Sequence, residues 1–215
     1  MFPPPAKNNY NIMSNKYHYR PEIEPQSFAF TLENFQKAQE IVNKYPKGRQ
    51  QSAVMPLLAL AQKQNDNWIP KIAMDYIAEM LSMPPVKVYE VASFYTMYNL
   101  EPVGRHLVEI CTTTPCWLRG SAEIADACEK RLGIGIGETT ADGQFTLREV
   151  ECLGACVNAP MCQVTSFGGD ASYYEDLSTG SVVRLIDSLA KGETPKPGPQ
   201  NGRKSSEPKN DSAGS

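Results

Sequence analysis

The sequence is poor in histidine and has no long apolar run. Only 2 of its 215 residues are histidine, and the dinucleotide-binding pattern G-x-G-x-x-G is absent. The longest apolar run, residues 53–61, is interrupted by Pro56 and falls short of the roughly 20 residues that a membrane-spanning helix needs. Acids and bases are interspersed at a net charge of −3, without the basic stripe of a nucleic-acid binder. These absences argue against a nucleotide-binding enzyme, an integral membrane protein and a nucleic-acid partner.

The N-terminus also lacks a secretory signal, because residues 1–5 (MFPPP) show no charged region followed by an apolar one. In a reducing compartment thiols stay free, and paired cysteines there usually indicate metal or redox chemistry. The six cysteines are therefore interpreted as metal ligands or core residues, not as a disulfide framework. A mitochondrial transit peptide finds little support, since residues 1–28 open with prolines and contain a single arginine.

Composition divides the chain into four segments. Residues 1–28 are rich in Pro, Asn and Tyr without periodicity, which predicts an extended arm. Residues 29–103 carry apolar side chains at three- and four-residue spacing, which predicts a small helical bundle. Residues 104–192 mix strand-like and helical stretches, and residues 193–215 are almost devoid of apolar side chains, which predicts a disordered tail. The fold class predicted from this pattern is α+β.

Six helices and four strands are predicted within the two central segments. The helices are 32–45 with Thr31 as N-cap, a second from a Ser52 cap to Asn65, 70–81, a fourth containing Val88, Val91, Ala92 and Tyr95, 121–132, and 182–191. The strands are 106–111, 145–151, 162–167 and 171–174. Strand ends at one edge of a sheet lie side by side, so the loops after the first two strands are expected to meet.

Those two loops carry two close pairs of cysteines. Cys111 and Cys116 form a C-x4-C pair, and Cys152 and Cys156 form a C-x3-C pair. Four thiolates without histidine are the ligand set of a [2Fe–2S] cluster or of a structural zinc site. Gly154 can adopt a positive φ at no steric cost, which lets main-chain N–H groups point at sulfur.

The spacing favours iron–sulfur but leaves zinc open, because structural zinc typically uses C-x2-C knuckles. A zinc-stabilised interaction module is therefore one alternative. A thioredoxin-type redox pair is disfavoured, since the chain has no C-x-x-C. Nucleophilic Cys–His catalysis has no local support, because His18 lies in the arm and His106 opens a strand. Cys128 and Cys162 are expected to pack as small hydrophobic residues in the core.

Four stretches of the sequence together resemble a known family. They are Cys111-x4-Cys116, residues 151–161 (ECLGACVNAPM), residues 91–96 (VASFYT) and residues 48–54 (GRQQSAV). They are similar to the thioredoxin-like [2Fe–2S] ferredoxin that forms one subunit of NADH-quinone oxidoreductase, respiratory complex I. The likeness extends over about residues 28–200.

This resemblance implies a helical bundle followed by a thioredoxin-like domain that holds one [2Fe–2S] cluster. By resemblance the ligands of that cluster are Cys111, Cys116, Cys152 and Cys156. The implied function is electron transfer: the cluster exchanges single electrons with FMN on a partner subunit that binds FMN and NADH, next to a large iron–sulfur subunit. The chain is then an enzyme only as part of NADH:quinone oxidoreductase, a translocase, and has no nucleotide or flavin site of its own.

The resemblance also implies a location and leaves a second function open. The location is the cytoplasmic face of a bacterial inner membrane, reached only through the complex, with the matrix side of the mitochondrial inner membrane as the alternative. The second function is a diaphorase subunit of an NAD-linked hydrogenase or formate dehydrogenase, because these use related modules with the same ligand motif.

Overall fold

The structure, a computed structural model, describes residues 22–204. Most of the predicted arm, with His18, and the final part of the predicted tail therefore lie outside the described residues. The chain separates between Pro102 and Val103 into two units, each with its own core.

The N-terminal unit is helical in the part that the structure describes. Its helices are α1 Leu32–Asn43, a 3-10 helix Gln50–Ala53, α2 Val54–Gln64, α3 Lys71–Met80 and α4 Pro85–Phe94. Thr31 caps α1 as predicted, since its hydroxyl accepts a hydrogen bond of 3.3 Å from the N–H of Asn34. The prediction that Ser52 caps α2 is wrong, because the chain is already turning through the 3-10 helix and Ala53 occupies the N-cap position.

The core of this unit consists of the apolar faces that the sequence spacing predicts. Leu57, Leu58, Ile77 and Val88 are all fully buried, and burial of each such side chain contributes about 1.5–3 kcal/mol. An aromatic trio also joins the stretch before α1 to α3. Its rings belong to Phe28, Phe30 and Tyr76, with centroids 5.5, 5.6 and 5.7 Å apart in edge-to-face geometry.

The C-terminal unit is built on a mixed sheet of five strands in the order β2-β1-β3-β4-β5. The strands are β1 His106–Cys111, β2 Phe145–Val150, β3 Cys162–Ser166, β4 Ser172–Glu175 and β5 Gly198–Pro199, and the helices are α5 Thr114–Leu118, α6 Ser121–Leu132 and α7 Thr179–Ala190. β1 pairs with β2 in parallel and with β3 antiparallel; β4 is antiparallel to β3 and parallel to β5. Within residues 22–204, no helix combines the length and apolar character that a bilayer crossing requires.

Side-chain alternation along β1 separates the core from the thiol that ends the strand. Val108 and Ile110 belong to the core formed with α6 and α7, together with residues such as Ile124 and Leu185. Successive residues of a strand point to opposite faces, so Cys111 belongs to the other face and to a separate small cluster. β1 therefore holds the Cys111 thiol on one face of the sheet, while α6 and α7 pack against the other face.

Residues 193–204 differ from the expectation of a disordered tail. Gly198 pairs with Tyr174, and the N–H of Gln200 donates a hydrogen bond of 2.9 Å to the carbonyl of Glu175. Composition reflects only how much apolar side-chain surface the segment can bury. An exposed strand edge offers main-chain donors and acceptors, so a polar segment can pair with β4 without a hydrophobic face of its own.

Candidate metal centre

The register of β1 and β2 brings the two cysteine loops to one edge of the sheet. Cys111 is the last residue of β1 and lies opposite Val150, the last residue of β2. The N–H of Thr112 then donates a hydrogen bond of 3.4 Å to the carbonyl of Val150. Parallel strands end at the same edge, so both loops start side by side, as the sequence predicts.

Cys116 lies on a helix that the sequence analysis missed. It is the third residue of the short helix α5, in which Pro115 takes the tolerated first-turn position. A segment of five residues is too short to show helical periodicity, which is why the sequence predicts a loop here. The helix turns Cys116 inward, where it packs with Cys111, Ala159 and Met161, and both thiols are 1% exposed.

The second pair of thiols is exposed. The sulfurs of Cys152 and Cys156 are 3.5 Å apart. Between them, Gly154 has a φ of +83°, and its N–H donates a hydrogen bond of 3.4 Å to the sulfur of Cys152. This is the geometry that the sequence predicts for Gly154, because a side chain at that φ would be strained.

Hydrogen bonds between the two loops influence the ionisation of the buried thiols. Burial raises the pKa of Cys111, but the Thr113 hydroxyl, 3.4 Å from the sulfur, and the N–H of Leu153 in the second loop outweigh it and lower the pKa overall. Burial and the neighbouring Cys111 raise the pKa of Cys116 to about 12. The pKa of Cys156 is raised by its contact with Cys152. Adjacent thiolates repel one another, so a bound cation would favour deprotonation of the whole set.

These features fit a negatively charged iron–sulfur centre. Main-chain N–H groups approach the sulfurs of Cys111, Cys116 and Cys152, from Leu153, Met161 and Gly154 respectively. Such hydrogen bonds stabilise charge on sulfur and help to set a reduction potential. Neither loop contains an acidic residue between its two cysteines. Over residues 22–204, no three His, Cys, Asp or Glu side chains lie close enough to hold one metal ion. The four sulfurs form one close pair, Cys152 with Cys156, and a second pair in which Cys111 and Cys116 share a hydrogen bond.

The remaining cysteines and the described histidine take no part in the small cluster around Cys111 and Cys116. Cys128 and Cys162 are fully buried in the core between the sheet and its helices, which confirms their predicted packing role. His106 lies at the opposite end of β1, where its Nδ1 is 2.7 Å from the hydroxyl of Ser166. It does not approach any of the four thiols of the cysteine loops.

Exposed apolar side chains beside the thiols were not identified from the sequence. Trp117, Leu118 and Val157 are 63, 69 and 85% exposed, and they lie one or two positions after Cys116 or Cys156 in the chain. Large apolar side chains grouped at the surface are typical of a protein–protein interface. Their position next to the cysteine motifs was the sequence signal that could have identified them. That these side chains are exposed is visible only in the tertiary structure.

Comparison with known proteins gives consistent matches over both units. Residues 38–190 match the family of thioredoxin-like [2Fe-2S] ferredoxins. A subunit of the NADH-quinone oxidoreductase of Rickettsia conorii is 52% identical over 163 residues, which cover 76% of this chain and 95% of that protein. The mitochondrial NADH dehydrogenase [ubiquinone] flavoprotein 2 of Dictyostelium discoideum is 50% identical over 184 residues, 86% of this chain and 72% of that protein.

A solved structure shares the fold. The NAD+-reducing [NiFe]-hydrogenase in its air-oxidized state aligns with a TM-score of 0.54 at 19% identity, over 65% of this chain. This chain spans only 23% of that hydrogenase chain, so the likeness concerns the fold alone. The family match confirms the predicted α+β class and selects the iron–sulfur interpretation over the zinc module. The chain belongs to the thioredoxin-like [2Fe–2S] ferredoxin family.

Proposed function

We propose that this chain is an electron-transfer subunit of an NADH-quinone oxidoreductase and exchanges single electrons with FMN on a partner subunit. Two relatives named as components of NADH-quinone oxidoreductase and mitochondrial NADH dehydrogenase, at 52 and 50% identity, support this assignment. The observation that carries it is that the two cysteine-bearing loops start side by side from the ends of adjacent parallel strands. A [2Fe–2S] cluster, when bound, supplies one-electron redox chemistry.

We propose Cys111, Cys116, Cys152 and Cys156 as the ligands. The first two lie in a small apolar cluster that excludes water, and the other two lie exposed on the outer loop. This asymmetry supports a centre that is anchored from inside the fold and open to a redox partner on the other side. Electron transfer requires such proximity to the surface, whereas a purely structural site has no need of it.

The partner in this proposal is the subunit that binds FMN and NADH, beside a large iron–sulfur subunit. NADH delivers two electrons as a hydride, and a one-electron carrier next to the flavin lets them leave one at a time. Exposed Trp117, Leu118 and Val157 around the thiols support docking of a protein at this face. The chain contributes to the enzyme as a subunit, and FMN and NADH bind on the partner.

The proposed location is the peripheral arm of the complex. The relative from Rickettsia conorii favours the cytoplasmic face of a bacterial inner membrane, and the Dictyostelium relative keeps the matrix side of the mitochondrial inner membrane as the alternative. In both cases the contact with the membrane is made through other subunits.

A second candidate is a diaphorase subunit of an NAD-linked hydrogenase or formate dehydrogenase, which the fold shared with the hydrogenase favours. Affinity purification of the tagged full-length chain from its native membranes separates the two. We expect NADH:quinone reductase activity to co-purify. Co-purification of hydrogenase or formate dehydrogenase activity in its place would reverse the assignment.

The cofactor itself is tested on the full-length chain prepared anaerobically. We expect about two irons and two acid-labile sulfides per chain, visible absorption, and an axial EPR signal after reduction. A colourless protein loaded with zinc would contradict electron transfer and favour the interaction module.

A further inference from the structure

The short turn after the fourth proposed ligand is held by the segment that follows the last helix. Resting on the proposed function, we infer that Arg203 is a positioning residue. It clamps the Cys156–Asn158 turn to the end of β4 and so orients Cys156 toward the metal centre. Arg203 lies outside the family match, which ends at residue 190. It also lies in the part of the chain that composition assigns to a disordered tail.

Asn158 is the point where the turn is attached to the sheet. Its side chain is 2% exposed, and its amide donates a hydrogen bond of 2.8 Å to the carboxylate of Glu175. The main-chain carbonyl of Asn158 accepts a hydrogen bond of 2.7 Å from the N–H of Asp176. Its main-chain N–H donates one of 3.0 Å to the carbonyl of Ala155. A buried amide with these bonds has one orientation, which leaves its side-chain oxygen facing Arg203.

Arg203 completes this arrangement from outside the sheet. Its guanidinium donates a hydrogen bond of 3.2 Å to the carbonyl of Val157 and a short one to the side-chain oxygen of Asn158. Nε and Nη2 also donate to the two carboxylate oxygens of Asp176, at 3.0 and 2.7 Å. The side chain of Asp176 is only 7% exposed, so this fork is shielded from water on the carboxylate side.

A defined main-chain path delivers Arg203 to this place. Gly198 and Pro199 pair with the end of β4, and Gln200 bonds to Glu175 by its N–H. The side chain of Gln200 folds back onto the carbonyl of Gly198 at 2.8 Å, and the N–H of Arg203 donates to the side chain of Asn201 at 2.9 Å. These contacts place the guanidinium of Arg203 against the Cys156–Asn158 turn.

The consequence concerns the exposed thiols. Cys111 and Cys116 are held by the surrounding core, whereas Cys156 is exposed and begins the turn that Arg203 grips one and two residues later. The three N–H groups of Nε and Nη2, shared among four acceptors, restrict the turn more than a point charge could. Lysine at this position would keep the charge next to Asp176 but lose the fork.

The experiment compares Arg203→Ala, Arg203→Lys and Lys204→Ala in the full-length chain. Lys204 is the exposed neighbour and controls for loss of one positive charge. The measurements are the rate of cluster release to an iron chelator, followed by visible absorption, the EPR spectrum of the reduced chain, and amide exchange of residues 153–159. Thermal unfolding of each variant reports global stability.

We expect Arg203→Ala to release the cluster about tenfold faster, as loss of hydrogen bonds to a charged group predicts, and to exchange its turn amides faster. Its EPR line shape should change, Arg203→Lys should restore part of both properties, and Lys204→Ala should match the wild type. Equal release rates and spectra for Arg203→Ala and Lys204→Ala would overturn the inference while leaving the ligands in place. A wild-type chain without iron and sulfide would instead refute the proposed function, and this inference with it.

Discussion

The hydroxyl of Tyr173 donates a hydrogen bond of 2.9 Å to the carbonyl of Leu153, which ties β4 to the loop between Cys152 and Cys156. The N–H of the same Leu153 approaches the sulfur of Cys111. One peptide segment is therefore held by the sheet at its carbonyl while its own N–H group faces a buried thiol. The geometry of the centre thus depends on residues that carry no sulfur.

Replacing Tyr173 with phenylalanine removes this tie without removing the ring. We expect a loss of about 1 kcal/mol in the free energy of unfolding, together with faster cluster release to a chelator. Tyr98→Phe is the matched control, because its hydroxyl makes an equivalent bond of 2.9 Å to Met55 in the helical unit. Tyr98→Phe should lose similar stability and keep the wild-type release rate; equal release rates in the two variants would contradict the role of Tyr173.

Removal of a single proposed ligand vacates a coordination position. Alanine at any one of Cys111, Cys116, Cys152 or Cys156 should abolish the visible absorption or leave it at a small fraction of wild type. Cys128→Ala should keep the spectrum and lose about 1–2 kcal/mol of stability through its core cavity. Iron analysis and denaturant unfolding check both expectations, and the opposite order of sensitivity would show that the wrong cysteines were chosen.

Gly154→Ala introduces a side chain at a φ of +83°. The expected loss is about 1–2 kcal/mol of stability, because L-residues disfavour left-handed backbone, and the N–H donated to Cys152 should move. Gly168→Ala is a suitable control, since Gly168 has a φ of +68° with open space around it in the β3–β4 turn. Both variants should be destabilised, and only Gly154→Ala should alter the EPR spectrum. An unchanged spectrum for Gly154→Ala would refute the role of its N–H.

His106 predicts a pH dependence of stability. Burial, together with the charge of Arg105, lowers the pKa of His106 in the folded chain. As pH falls below about 6.5, the unfolded chain binds the proton first, so the free energy of unfolding decreases until the folded pKa is reached. His106→Asn, whose amide can replace the contact with Ser166, should flatten the slope that develops below about pH 6.5. Denaturant unfolding at several pH values measures it, and an equal slope in both proteins would contradict the prediction.

The sequence by itself determined the two cysteine pairs, the α+β class and most element positions. The strand His106–Cys111 and the helix Ser121–Leu132 agree with the predicted ranges at both ends. Periodicity is a local property, and segments of this length display it fully. The family resemblance also depended on short sequence motifs, above all residues 151–161, so it could be recognised without the three-dimensional structure.

Only the tertiary structure decided how the thiols are arranged and what holds them. The burial of Cys116 follows from a one-turn helix without a sequence signature, and the exposure of Cys156 follows from the turn after it. The contact of Arg203 with Asn158 joins residues far apart in sequence through a strand edge. Such contacts are set by strand register and by directed hydrogen bonds, which leave no periodic trace in composition, and therefore the fold alone reveals them.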